Sequence, residues 1–169
     1  MQNKEKPIVV EQAYCTNLIG GTTTELNMLL KSPLSNAFDL RLVTYNKSVR
    51  GIGFLKAICF FKKEFKKNNP DLIVIRGCEK EGLAAQLGAK LAKKGPILVG
   101  CHGLYSKIIK TTKIKHFIAL KIIEPLIFKN CDYFYTVSNS VFDQYALFSK
   151  FKKKYVGTLY NAAPSFDLL

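Results

Sequence analysis

Residues 69–103 read NPDLIVIRGCEKEGLAAQLGAKLAKKGPILVGCHG, and this stretch decides the fold. Two short runs, Leu72-Ile73-Val74-Ile75 and Ile97-Leu98-Val99, flank an alanine-rich segment. Both runs are nearly continuous in aliphatic residues, the pattern of strands covered on both faces. Asn69-Pro70-Asp71 and Gly95-Pro96 mark where helices stop and strands begin. Between them, residues 82–94 carry Leu83, Leu87 and Leu91 at i, i+4 and i+8, a helical spacing. Strand, helix, strand is the sign of a parallel βαβ unit.

The same alternation extends in both directions. Further strands are expected at 8–13, 38–45, 133–137 and 155–160, beside those at 72–76 and 97–101. A helix over 22–31 opens with Thr22 and carries Glu25 three residues on, a capping box. A helix over 52–68 sets Leu55, Ile58, Phe60 or Phe61, and Phe65 along one face. A helix over 113–128 is apolar at Ile114, Phe117, Ile118, Ile122, Leu126 and Ile127, and one over 140–149 begins with Ser140 and Asp143. No repeat interrupts the series. The expectation is one α/β domain over 1–160, a doubly wound, mostly parallel sheet with helices on both faces. Ligands of such sheets bind beyond the C-terminal ends of the strands.

The 169 residues hold 26 Lys+Arg against 12 Asp+Glu, a formal net charge of +14. That excess favours polyanionic partners: nucleic acid, an anionic membrane or phosphorylated ligands. The lysines come in pairs and short runs, and no recognisable nucleic-acid module accompanies them. The 5 cysteines form no C-x-x-C pair, so neither a zinc site nor a redox dithiol is indicated. Their odd count, and a polar start at residues 1–6, fit a cytoplasmic protein. No run reaches the length of a transmembrane helix.

Four loops at the expected ligand edge carry chemistry. Gly20-Gly21 precede the helix opened by Thr22, and paired glycines at a helix N-terminus let backbone N–H groups approach an anion. They serve equally as a tight turn, since neither the G-x-G-x-x-G fingerprint nor a Walker lysine is present. Arg76 ends the third strand, either to clamp a phosphate or carboxylate or to pair with Glu79 or Glu81. His102-Gly103 ends the fourth strand, where an imidazole can hydrogen-bond a hydroxyl or move a proton. Ser138 follows the fifth strand, where a serine more often caps a helix than meets a ligand. Around 107–121, an apolar stripe flanked by Lys107, Lys110, Lys113, Lys115 and Lys121 has two readings. It lies in an anionic membrane interface, or it packs on the sheet with its lysines in water.

Taken in order, these loops resemble the N-terminal domain of family 4 glycosyltransferases of the GT-B fold. The likeness rests on Ile19-Gly20-Gly21 with Glu25, on Asn69-Pro70-Asp71, on Gly82-Leu83-Ala84-Ala85, on His102-Gly103-Leu104, on Cys131-Asp132 with Val137-Ser138, and on 156–161 ending in Asn161. It implies one Rossmann-like half of a two-domain enzyme. This half holds a carbohydrate or lipid-linked acceptor, and a C-terminal half holds a nucleotide-sugar donor, which is a substrate and not a cofactor. It further implies that Gly20, Gly21 and Thr22 border the donor phosphates and that His102 and Gly103 face the transferred sugar, with Arg76, Ser138 and Asn161 on the cleft wall. No metal is implied. Members often act at the inner membrane face on lipid-linked or polysaccharide acceptors. One departure is Asn161-Ala162-Ala163-Pro164, where the family has Asn-Gly-Val-Asp. Residues 161–169 then start an interdomain linker, and the chain by itself is an incomplete enzyme. Two rivals remain: a non-catalytic basic module that docks an anionic membrane or a partner subunit, and a stand-alone nucleotide-binding protein of flavodoxin-like shape.

Overall fold

The computed structural model describes residues 6–13, 21–47, 51–104, 106, 112–143 and 145–160. Its strands are β1 (Ile8–Ala13), β2 (Asp39–Thr44), β3 (Leu72–Arg76), β4 (Ile97–Cys101), β5 (Tyr133–Thr136) and β6 (Tyr155–Thr158). They form one sheet in the order β2-β1-β3-β4-β5-β6. Every pairing is parallel, so each connection crosses over the sheet. Helices α1 (Gly21–Lys31) and α2 (Leu34–Ala37) join β1 to β2. Helix α3 (Ile52–Asn68) carries the chain back past β1 to β3, and α4 (Lys80–Ala92) leads to β4. Helix α5 (Lys113–Ile118), a π-helical turn (Ala119–Ile123) and α6 (Glu124–Asn130) lead to β5. Two short helices, α7 (Asn139–Asp143) and α8 (Ala146–Ser149), precede β6.

The direction of winding reverses once, between β1 and β3. Right-handed crossovers therefore set α1 and α2 on one face and the later helices on the other. This is a Rossmann-like, doubly wound α/β domain. The second face of the sheet packs the main core, where Val10, Val43, Ile73, Ile75, Val99 and Phe134 meet Ala57, Phe61 and Phe65 of α3 and Ile127 and Phe128 of α6. Phe128 stands edge-on to Phe134 at 5.1 Å and to Phe148 at 5.0 Å, an aromatic arrangement that adds to simple burial.

The helices differ from expectation in instructive ways. In α4 Leu83 is buried and Leu87 packs half-buried against the core, while Leu91 is exposed and the rest of the buried side is Gly82, Ala84, Ala85, Gln86, Gly88, Ala89 and Ala92. Small residues win there because α3 lies against them: a Cβ on Gly88 would sit 2.6 Å from the Phe61 Cβ. Likewise α3 buries Ala57, Ile58, Phe61 and Phe65 and leaves Leu55 in solvent. The helix expected over 113–128 runs to Asn130 but widens at Ala119–Ile123, where the Glu124 N–H reaches the Ala119 carbonyl. Pro125 follows directly, and a proline there removes one helical N–H and crowds the carbonyl a turn earlier. Of the six apolar residues read along this helix, only Ile127 is buried; Ile114, Phe117, Ile118, Ile122 and Leu126 are exposed, so the stripe does not pack on the sheet. The helix expected over 140–149 is two helices, broken at an extended Tyr145 whose ring stands edge-on to Phe148. The first starts one residue before Ser140, and its cap is Ser138, whose Oγ accepts the Val141 N–H at 3.3 Å. The pair Thr22 and Glu25 lies outside the described side chains.

Candidate functional site

Parallel register brings the strand ends to one edge. Gln12 pairs with Ile75, Arg76 with Gly100, and Cys101 with Thr136, so the segments that follow them open side by side. In open sheets of this kind ligands bind at the topological switch point, which here lies between β1 and β3. Behind it, Gly77 has φ 97°, a conformation that suits glycine. Its carbonyl oxygen would lie 2.5 Å from a Cβ on Gly82, so two glycines permit the tight turn from β3 into α4.

Arg76 is buried, at 4% exposure. Its ion pair is with Glu11 of β1, not with the nearby Glu79 or Glu81: Nε donates to the Glu11 Oε2 at 2.7 Å. Strand alternation explains the choice. Glu11 and Arg76 share the face opposite the main core, and their strands are neighbours. Tyr135 shares that face, and its ring leans over Gly100, where a Cβ would meet the hydroxyl at 2.6 Å.

On the other face Gln12, fully buried, donates from Nε2 to the Glu81 Oε1 at 3.2 Å. Burial pushes the Glu81 carboxyl up from 4.5 to about 7; the bond from Gln12 opposes that rise and the charge of Glu79 adds to it. Burial raises the Glu79 carboxyl as well. A carboxyl that titrates near neutrality at a ligand edge can give or take a proton.

His102 follows β4 with its ring half-buried and Nε2 shielded from solvent. Gly103 and the buried Leu104 come next, and this segment is tied to the helical layer. Glu124, fully buried, accepts the Ser106 N–H at 2.6 Å and the Ser106 hydroxyl at 2.9 Å. At the far end, Thr136, Tyr155 and Thr158 share hydroxyl hydrogen bonds, with Tyr155 Oη 2.7 Å from Thr158 Oγ1, which donates to Asn139 at 2.6 Å. Ser138 shares a 2.9 Å hydrogen bond with Ser140 while capping α7. Gly21 opens α1 at the end of the β1 connection. Gly20, Asn161, Lys107 and Lys110 lie outside the described residues, as does the side chain of Thr22.

The edge thus gathers Gly21, Gly77, His102, Gly103 and Ser138, with Arg76 beneath it. Glu11, Gln12, Glu124 and Tyr135 were missed from the sequence, and Glu81 was named only as a partner for Arg76. The one available signal was a polar pair, Glu11-Gln12, inside an otherwise apolar strand.

No family model and no curated protein sequence matches the chain. Solved structures do. The UDP complex of S. aureus MnaA matches with a TM-score of 0.64 at 14% identity, over 92% of this chain and 44% of its own. The lipopolysaccharide outer core galactosyltransferase WaaB matches at 0.63 and 11%, over 96% and 48%. The UDP-GlcNAc 2-epimerase of Neisseria meningitidis bound to UDP-GlcNAc matches at 0.60 and 12%, over 90% and 45%. These neighbours have the GT-B fold, and the chain has the fold of one of its Rossmann-like halves. It spans less than half the length of each.

Proposed function

We propose that this chain is the acceptor-side half of a nucleotide-sugar-processing enzyme that transfers the sugar to a carbohydrate or lipid-linked acceptor. The observation that carries the reading is the sheet order, whose reversal between β1 and β3 is where open α/β sheets bind their ligands, beyond the strand ends that carry Gly77 and His102-Gly103. The neighbours support it: one is by name a galactosyltransferase, and others are solved with UDP or UDP-GlcNAc. Transfer is favoured over epimerisation by the ordered motifs, from Gly20-Gly21 through His102-Gly103 to Val137-Ser138.

In this reading the N–H groups around Gly20 and Gly21, the Thr22 hydroxyl and the positive end of α1 stabilise the departing diphosphate. His102 sits against the transferred sugar, and Gly103 leaves it room. Ser138 and Asn161 border the cleft. Arg76 stands at the cleft wall, held there by its ion pair with Glu11. Catalysis is positioning plus electrostatic stabilisation. The C-terminal half supplies the rest of the donor site, with residues 1–160 as the acceptor side.

The test is UDP release from UDP-sugars by the protein with its C-terminal half present. His102→Ala is expected to lower turnover by about a hundredfold while the circular dichroism spectrum stays unchanged. Unchanged turnover removes His102 from the site, and no UDP release from any UDP-sugar and acceptor sinks the transferase reading.

A further inference from the structure

The outer ridge of the α5–α6 helix is apolar where a surface helix is ordinarily polar. Ile114 is 73% exposed, Phe117 58% and Ile122 47%, with Ile118 and Leu126 exposed beside them. Lys113, Lys115, Lys121 and Lys129 are exposed along the same helix. Between Thr112 and Asn130 the only acidic residue is Glu124, and it is fully buried on Ser106. The inward side is already satisfied by Ala119, Ile123, Ile127 and Phe128, so core packing does not account for the outer stripe. A groove of about 210 Å³ lined by Phe54, Lys80, Leu83, Ile118 and Ile123 continues the apolar surface towards the start of α3. There Ile52 and Leu55 are exposed as well.

We infer that this ridge is a docking face for an anionic lipid bilayer, with the helix lying in the interface plane. Phe117 and the isoleucines enter the acyl boundary while the lysines meet the head groups. Charge selects the occupant: the ridge exposes lysines and no acid, on a chain of formal net charge +14. No helix among the described residues is long and apolar enough to cross a membrane, so contact is from one side. The inference is independent of the transferase reading, and its test has no turnover in it.

The experiment is co-sedimentation of the full chain with vesicles of phosphatidylcholine, with and without phosphatidylglycerol, across a salt series. Binding is expected only with phosphatidylglycerol. Ile114→Ser with Phe117→Ser is expected to weaken it about tenfold or more. Each lysine among Lys113, Lys115 and Lys121 changed to Gln is expected to cost about fivefold. Lys63, Lys66 and Lys67 on α3, changed likewise, remove the same charge elsewhere and should cost far less. Equal loss from both lysine sets, with no effect of the serine pair, overturns the docking face in favour of diffuse adsorption by a basic surface. So does absence of binding at low salt. A chain that sediments as an oligomer, and that the serine pair turns into a monomer without changing vesicle binding, assigns the ridge to a second copy and overturns the inference too.

Discussion

Arg76 and Glu11 form a buried ion pair across β3 and β1, 2.7 Å from Nε to Oε2, with each side chain 5% exposed. It lies directly under the point where the sheet reverses direction. An ion pair so placed is costly to assemble and costlier to break, because the survivor stays out of water. Glu11→Ala is therefore expected to destabilise the chain by about 3 kcal/mol or more in urea unfolding. The double change Glu11→Met with Arg76→Met should cost clearly less than Glu11→Ala alone. If the single and double variants lose the same amount, the two charges are not energetically coupled.

Glu81 gives the fold a pH dependence. Its carboxyl titrates at about 7 in the folded chain against 4.5 ordinarily, so between those values the folded state holds a proton that the unfolded state has released. Stability then falls as pH rises through this window, since the folded form must bear a half-buried charge. Because the group is only half-buried, solvent screens part of the effect, and the loss is about 1–2 kcal/mol. Urea midpoints at pH 5 and pH 8 check it: Glu81→Gln should flatten the difference, and a variant as pH-sensitive as the parent refutes the assignment.

Gly88 fixes how closely α3 and α4 approach. A methyl group there would fall 2.6 Å from the Phe61 Cβ and 2.9 Å from the Lys62 nitrogen, neither at the end of a flexible chain. Gly88→Ala is expected to cost about 2 kcal/mol, although alanine is the better helix former by about 1 kcal/mol. Thermal unfolding reads this directly; a stabilised variant shows that the two helices can part without penalty.

Much of the fold was legible because strands covered on both faces write themselves as short aliphatic runs. The runs at β1, β3 and β4 gave both bounds of each strand, and the turn residues Asn69 and Gly95 marked where the helices between them stop. What the pattern could not show was which apolar residues meet a partner. Of the leucines at helical spacing in α4, Leu83 and Leu87 meet the core but Leu91 does not, and alanines and glycines fill the rest of the buried side, since closeness to α3 rewards small side chains. The stripe from Ile114 to Leu126 had the period of a packed helix and yet faces outward. At the ligand edge, Gly77, His102 and Ser138 were readable as strand-end residues. The polar partners beneath them were not, because Glu11 with Arg76, Gln12 with Glu81, and Ser106 with Glu124 join residues 65, 69 and 18 apart in the chain. Ion pairs and hydrogen bonds across such distances depend on strand order, which no single segment encodes.

The π-helical turn at Ala119–Ile123 also makes segment length a fixed quantity in this part of the chain. Side chains four apart drift by about 40° per step around an ordinary α-helix, and a wider turn winds part of that back. The wider turn between Ile118 and Ile122 therefore offsets part of the drift accumulated before it, and Glu124 still reaches Ser106. Removing one residue from the turn would rotate everything after it by about 100° relative to everything before. Tolerance here should thus be asymmetric: side chains on the ridge can be exchanged one for another, whereas a deletion acts like a frameshift in space and changes which residues are inside.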